Sequence, residues 1–147
     1  MQHLQADKAF VVTPPAAIVD NDVFVTNTID TLGFGELLLI VVLGATDVAL
    51  AALKLRESES ADMSGATDVS GADFSVSPAT LPGASDDNNL FMVHVRCGGP
   101  RKRYFDLTAT GGNGSTGAFL TCVALLSKGK NVPTTNAQRG ATQALSV

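Results

Sequence analysis

The sequence predicts an all-β fold, a sandwich or barrel of about eight short antiparallel strands. Apolar and polar residues alternate with a period of two in several short segments, as they do in half-buried strands. Clusters of Gly, Pro, Asn, Asp and Ser separate these segments, and no stretch shows convincing helical periodicity. The 147 residues, 45% of them apolar, suffice for one domain with a single core. We expect an N-terminal extended arm at residues 1–22, a β-sandwich at 23–128 and a C-terminal tail at 129–147.

The arm is expected to be extended because Pro14 and Pro15 prevent a helix. Its apolar side chains need an apolar surface to pack on, which could be the sheet of the same chain or that of a neighbouring subunit. These side chains are Phe10, Val11, Val12, Ile18 and Val19. We favour a neighbouring subunit, because sandwiches must protect their outer strands and exchanged arms are one way to do so.

Three strands are predicted in the first half of the sandwich. Val23–Ile29 alternates apolar and polar residues and is typical of a half-buried strand. Glu36–Leu43 is continuously apolar from its second residue, which suits a central strand buried on both faces. Val48–Glu57 contains good helix formers, but its second half alternates leucine with a basic residue, which favours a strand.

Residues 58–89 are predicted to be mostly loop because small, polar and turn-forming residues dominate them. We expect two short strands, Ala66–Gly71 and Ala72–Pro78, and then a tight polar turn at 81–89. Asp86 and Asp87 in this turn resemble a calcium-binding cluster but lack the spacing of a calcium loop. A turn capped by these side chains is favoured, and a bound cation remains an alternative.

Three more strands are predicted in the second half, at Leu90–Cys97, Lys102–Thr110 and Ala118–Ser127. The alternation in the first of them places four side chains on one face, namely Leu90, Met92, His94 and Arg96. Beyond Lys128 the tail has little to bury, so we expect it to be mobile or docked on a partner.

The glycine-rich stretch GGNGSTG, Gly111–Gly117, contains the spacing G-x-G-x-x-G and follows a predicted strand. In a dinucleotide site, a helix would begin there and an acidic residue would follow about twenty residues later. No Asp or Glu follows Gly117, and the Gly-Lys-Ser/Thr of a P-loop is absent. We therefore interpret the stretch as a hairpin turn between two strands, rather than as the phosphate cradle of an enzyme.

Charge and composition favour a protein partner over nucleic acid, a sugar or a membrane. The net charge is −4, but residues 1–95 carry −10 and residues 96–147 carry +6. This bipolar layout suits protein–protein assembly better than DNA binding, although the basic stretch Arg101–Arg103 could simply be a solvated strand end. There is no Trp and one Tyr for stacking on bases or sugars. The longest apolar run, Leu37–Leu43, is far too short to span a bilayer, and the N-terminus has no features of an export signal.

The chain does not have the sequence features of an enzyme, and no cofactor or metal site is predicted. Cys97 and Cys122 lie in different predicted strands without metal or redox spacing. We expect two reduced thiols, with a disulfide between them as the alternative. His94 has no second ligand at metal-binding spacing, and no G-x-S-x-G motif marks a hydrolase nucleophile.

Three motifs in a fixed order resemble one protein family. They are GATDVALAALKLRESES, DVSGADFSVSPATLPGASDDNNLFMVHVRCGG and RKRYFDLTATGGNGSTGAFLTCVALLSKG. Together they cover about Gly44–Lys128 and resemble the small capsid decoration, or cement, proteins of tailed bacteriophages. The resemblance implies a jelly-roll-like β-sandwich that binds the outer surface of the major capsid protein shell of the virion, assembled in the host cytoplasm. It also implies a homo-oligomer, often a trimer, and no catalytic residues.

Under this resemblance, apolar arm residues are expected to clasp a neighbouring subunit, and basic residues are expected to meet acids on the shell. The expected contact residues are Phe10, Val11, Val12, Ile18, Arg101, Lys102, Arg103, Lys128 and Lys130. A receptor- or carbohydrate-binding protein of the phage head or tail is the alternative, which the scarcity of Trp and Tyr disfavours.

Overall fold

The computed structural model describes residues 7–13, 20–131, 133 and 135–143 of the chain. Within these residues there are nine β-strands, one 3₁₀ turn at Ala84–Asp86 and no α-helix. The strands are β1 (Lys8–Thr13), β2 (Val23–Val25), β3 (Ile29–Asp30), β4 (Glu36–Thr46), β5 (Ala52–Ser58), β6 (Thr67–Asp73), β7 (Leu90–Arg96), β8 (Tyr104–Thr110) and β9 (Ala118–Ser127).

The strands form two antiparallel sheets that pack face to face. Sheet 1 has the order β1-β9-β4-β7, and sheet 2 has the order β2-β8-β5-β6, with β3 also paired to β8. Inward-facing side chains of both sheets form one hydrophobic cluster, which includes Leu39 from sheet 1 and Leu55 and Phe105 from sheet 2. The predicted all-β sandwich is therefore confirmed.

Residues 8–13 form an outer strand of the chain's own sheet. β1 pairs with β9 from Lys8 opposite Leu126 to Thr13 opposite Cys122. Its alternating pattern points Phe10 and Val12 inward, and Val12 is 1% exposed in the core. The expected arm thus begins as part of the sandwich, because β9 offers an edge that an apolar extended segment can cover. Ile18 and the rest of 14–19 lie outside the described residues.

The tail also contacts its own chain. Residues 135–141 form a turn next to β1, where the amide of Ala9 donates to the carbonyl of Arg139 at 2.9 Å. The described part of the tail therefore lies against the outer edge of sheet 1.

β4 is the central strand that the sequence predicts, but it is buried on one face rather than two. It pairs with β9 on one side and β7 on the other. Leu37, Leu39, Val41 and Leu43 point into the core, whereas Leu38, Ile40 and Val42 are only half-buried. No layer of the described chain covers the outer face of sheet 1, so the prediction of burial on both faces is wrong.

Several predicted strands have different bounds in the structure: β4 continues to Thr46, and β8 begins at Tyr104 rather than Lys102. Val23–Ile29 is divided into β2 and β3. The hydroxyl of Thr26 accepts the amide of Leu107 at 2.9 Å, and the amide of Asn27 donates to the carbonyl of Val12 in β1 at 3.0 Å rather than to β8. Residues 48–51 are not part of a strand, and β5 begins at Ala52.

The region around Gly71 also differs from the prediction of two short strands. β6 is a single strand, and Gly71 lies within it at a φ of +81°. The register against β5 shifts between Lys54 and Arg56, so this glycine forms a bulge rather than a turn. The amide of Phe74 still donates to the carbonyl of Leu53 at 3.0 Å, and residues 74–78 form turns instead of continuing the predicted strand Ala72–Pro78.

The glycine-rich stretch is not a hairpin turn. β8 belongs to sheet 2 and β9 to sheet 1, and the two strands do not pair with each other. The stretch crosses from one sheet to the other at the end of the sandwich. The predicted hairpin is wrong because local sequence does not indicate which sheet the next strand will join.

Candidate interaction surface

The outer face of sheet 1 is apolar across all four strands. Cross-strand neighbours form two complete rows, Val11–Val123–Ile40–Met92 and Ala9–Leu125–Leu38–His94. A third, shorter row contains Thr121, Val42 and Leu90. We call the apolar members of these rows the apolar face: Ala9, Val11, Leu38, Ile40, Val42, Leu90, Met92, Val123 and Leu125.

The side chains of the apolar face are partly open to solvent. Val11, Leu90 and Met92 are 52%, 58% and 61% exposed, and Ile40 and Val123 between them are half-buried. Single exposed apolar side chains are common, but a contiguous apolar patch marks a site of interaction with another molecule.

The outer face of sheet 2 has the opposite character. Arg56 donates two hydrogen bonds to the buried carboxylate of Asp106, at 2.9 and 2.6 Å, and Lys54 pairs with Asp68 at 2.8 Å. Thr108 lies on the same face, and exposed apolar residues are confined to Val23 and Val25 on β2 within the described strands. Only sheet 1 therefore presents an apolar surface across its strands.

A charged group borders the apolar face at one end. Lys128 Nζ lies 2.6 Å from one oxygen of Glu36, and His94 Nε2 lies 3.8 Å from the other. The hydrogen bond from Lys128 lowers the pKa of Glu36 below its ordinary value. Arg96 pairs with Glu36 across the β4–β7 ladder and is exposed. An apolar centre with a charged border is the usual layout of a protein-binding patch.

Most of the predicted basic contact residues bind acids of the same chain. Arg101 Nη1 lies 3.2 Å from Glu57, and the guanidinium of Arg103 makes two hydrogen bonds with Asp30, at 2.8 and 2.7 Å. Lys128 binds Glu36 as described above. The attraction between the acidic first part and the basic last part of the sequence is thus used inside the domain.

The other two basic candidates are Lys102 and Lys130, and the contacts described for them are hydrogen bonds other than an ion pair of the ammonium group. Lys102 donates from its ammonium group to the hydroxyl of Thr67 at 3.0 Å and from its backbone amide to Glu57 at 3.2 Å. Lys130 is exposed, and its backbone amide donates to the carbonyl of Gly33 at 2.8 Å. Of the apolar candidates, Val11 lies on the apolar face, whereas Phe10 and Val12 point inward.

The glycine-rich loop holds an anion, and that anion is Asp47 of the same chain. One carboxylate oxygen of Asp47 accepts the amides of Ser115 and Thr116, at 2.5 and 2.6 Å, and the Thr116 hydroxyl at 3.1 Å. These hydrogen bonds hold the pKa of Asp47 well below its ordinary value. A β-strand, not a helix, follows Gly117. The position that a phosphate would need is occupied by a side chain.

Asp86 caps the 81–89 turn, as the sequence predicts, whereas Asp87 binds the backbone of β4 instead. Asp86 accepts the amide of Gly83 and Asp87 accepts the amide of Thr46, each at 2.9 Å. Across residues 7–13, 20–131, 133 and 135–143, no three His, Cys, Asp or Glu side chains cluster as metal ligands would.

Both cysteines are free thiols. Cys122 is buried on the inner face of β9, and this burial raises its pKa to about 12. Cys97 follows β7 and is half-buried, and burial also raises its pKa. Thiols whose deprotonation is suppressed in this way are poor nucleophiles.

No protein-family model matches the chain, and no curated protein is significantly similar to it. In the part of the chain that the structure describes, no helix is long and apolar enough to cross a membrane.

Sequence reasoning identified one strand of the apolar face and missed the rest. The alternation in β7 predicts that Leu90 and Met92 share a face. The sequence predicts Leu38, Ile40 and Val42 to be buried, because an uninterrupted apolar run contains no signal that separates its two faces. The signal in the sequence is that Leu90–Cys97 carries apolar residues on both of its faces.

Proposed function

We propose that this protein is a non-enzymatic structural protein of a bacteriophage virion, a decoration or cement protein. It binds the outer surface of the major capsid protein shell as a homo-oligomer and stabilises the shell. The observation that carries the proposal is the apolar face of sheet 1. The ordered motifs over about Gly44–Lys128, which resemble capsid decoration proteins, supply the identity of the partner.

The physical reason is that a cement protein works through buried surface alone. Full burial of an exposed Val, Leu or Met side chain contributes about 1.5–3 kcal/mol. Val11, Leu90 and Met92 are such side chains, and their half-buried neighbours add smaller amounts, so the face can support docking after the cost of association. A rigid sheet also loses little conformational entropy when it docks.

We further propose that the sandwich is a jelly roll. If β2 and β3 are counted as one interrupted strand, eight strands form two sheets of four, in the orders β1-β9-β4-β7 and β2-β8-β5-β6. Jelly rolls consist of two such sheets, and viral capsid proteins are among those that use them. This strand order therefore supports the virion proposal as well.

The test uses heads of the encoding virus that lack this protein. Purified protein is added, binding is measured by co-sedimentation and cryo-electron microscopy, and the disruption temperature of the heads is recorded. We expect saturable binding at symmetric positions on the outer surface and a higher disruption temperature. Heads that bind no protein would refute the proposal, and binding to host cell-surface glycans instead would favour the receptor-binding alternative.

Two matched variants test the surface. Val11→Lys places a charge on the apolar face, and Val23→Lys places one on the outer face of sheet 2, where Val23 is 54% exposed. We expect Val11→Lys to weaken head binding at least tenfold, because the new charge would have to be desolvated, and Val23→Lys to bind as the original protein does. Equal binding by both variants would exclude the apolar face.

A further inference from the structure

The outer strands of the two sheets differ in how well they are protected. β1 has a register shift between Val11 and Thr13, and the tail contacts it through the bond between Ala9 and Arg139. In sheet 2, β6 contains the bulge at Gly71, and the opposite edge consists of β2 and β3, which are three and two residues long. Bulges, short strands and covering segments are the usual protection against unwanted strand pairing.

Within the described residues, β7 has none of these protections. It is seven residues long, contains no proline and pairs with β4 in an unbroken register from Leu90 to Arg96. No other described strand pairs with it. A groove of about 620 Å³ separates it from β6, so that its outer edge is open to a strand approaching in the plane of sheet 1.

The register of β7 fixes which of its backbone groups are available. The backbone amide of Cys97 donates to the carbonyl of Gly35 at 2.8 Å. The carbonyl of Asn89 accepts the backbone amide of Leu43 at 3.1 Å. Residues of an antiparallel strand alternate between the two sides, so the odd-numbered residues of β7 bond to β4. The amide and carbonyl groups of the even-numbered residues, Leu90, Met92, His94 and Arg96, point to the open edge.

The charges around β7 make it complementary to a second, antiparallel copy of itself. Asp86 and Asp87 lie just before the strand, where each accepts one backbone amide, and the exposed Arg96 lies at its end. An antiparallel pair would bring the acidic end of each strand next to the basic end of the other. A parallel pair would place like charges together.

We propose that β7 pairs with β7 of a second copy of this chain, antiparallel about a two-fold axis perpendicular to sheet 1. Residues that face the open edge then lie opposite each other, with Met92 facing His94 of the second copy and Leu90 facing its Arg96. The two four-stranded sheets become one continuous sheet. Both apolar faces lie on the same side of it, so that the pair presents twice the docking surface of one chain.

This inference concerns the isolated protein and does not depend on the virion. It also departs from the trimer that the resemblance implies, because β7 cannot pair with itself about a three-fold axis. Light scattering coupled to size-exclusion chromatography should give twice the 15.1 kDa of one chain. A trimer, or a monomer at every concentration, would overturn the proposal.

Variants distinguish edge pairing from packing through the apolar face. Met92→Lys and Met92→Pro should convert the dimer to a monomer, and the proline leaves the ladder to β4 intact because the amide of Met92 points away from it. Val11→Lys lies in the same row at the opposite edge and should remain dimeric. If Val11→Lys also abolishes the dimer, or if a folded Met92→Pro variant keeps it, the β7 pairing is wrong.

Hydrogen exchange provides a second readout of the same pairing. In the dimer, the amides of Met92, His94 and Arg96 should be protected, and dilution or Met92→Lys should remove that protection. Exchange that remains fast in a demonstrated dimer would place the interface elsewhere. If the dimer forms but heads are not bound, the proposed function fails while this inference stands.

Discussion

At the scale of single residues, Asp47 explains what the glycine-rich loop does. The backbone amides of Ser115 and Thr116 converge on its carboxylate, as amides in anion-binding loops converge on a phosphate. A Cβ atom at Gly114 would meet the same carboxylate, and one at Gly112 would meet the carbonyl of Ala49. Glycine is therefore required at these two positions for close approach between the loop and residues 47–49.

Replacing Asp47 tests this role. Asp47→Asn keeps the shape but removes the charge, so the hydrogen bonds from the loop become weaker and the thermal unfolding midpoint at neutral pH should fall. The lowered pKa of Asp47 means that its stabilisation is present above the ordinary value of 3.8 and is lost as the pH falls below it. The difference in midpoint between variant and original should therefore shrink in acid.

Circular dichroism at a series of pH values measures this difference. Asp68→Asn, which removes a carboxylate from the exposed pair with Lys54, is the control and should change the midpoint little at any pH. A difference for Asp47→Asn that stays constant across the acid range would show that its charge is not what the loop binds.

At the scale of secondary-structure elements, β4 shows how one strand serves two environments. Its inner residues belong to the core, and its outer residues belong to the apolar face. The inner and outer residues are mainly Leu, Ile and Val, which are common in strands. β4 can therefore pair with both β9 and β7. Its apolar outer face is not needed to fill the core, which supports a role in binding.

Adjacent valines in β4 separate these two roles. Val41→Thr places a hydroxyl in the core and should lower the free energy of unfolding by about 1–3 kcal/mol. Val42→Thr places the same hydroxyl on the apolar face and should lower it by less than about 1 kcal/mol. Urea denaturation of both variants measures the contrast. Equal losses would mean that the outer face is covered within the chain.

At the scale of the whole molecule, contacts between distant parts of the sequence hold the domain together. Arg103 binds Asp30, Lys128 binds Glu36 and Arg101 binds Glu57, so the basic last third of the chain neutralises acids of the first part. One hydrophobic cluster includes residues of both sheets and of β1. A domain with a single shared core is expected to unfold in one cooperative transition.

Deletion of residues 1–13 tests whether β1 belongs to this cooperative unit. The deletion removes Val12 from the core and exposes the edge of β9, so the free energy of unfolding should fall by at least about 2 kcal/mol. Chemical denaturation followed by circular dichroism measures it, with Val11→Ala, a change at an exposed position of the same strand, as the control. An unchanged midpoint would mean that residues 8–13 are dispensable for the sandwich.

Local patterns in the sequence determined where most strands lie and which side chains of a strand point to the same side. The period-two alternation identified β7 and β8 and placed Leu90 and Met92 together, because successive side chains of a strand point to opposite sides. The missing acid after Gly117 also removed the dinucleotide interpretation of the glycine-rich loop. These inferences succeeded because they depend only on residues that are close in the sequence.

The tertiary structure alone decided which face of each strand is buried and which strands are neighbours. It placed β1 on β9 and Asp47 in the loop at Ser115–Thr116, and it left Leu38, Ile40 and Val42 without cover in the described chain. These features depend on contacts between residues far apart in the sequence. Local periodicity carries no information about such contacts, because pairing is selected by the packing of the whole core.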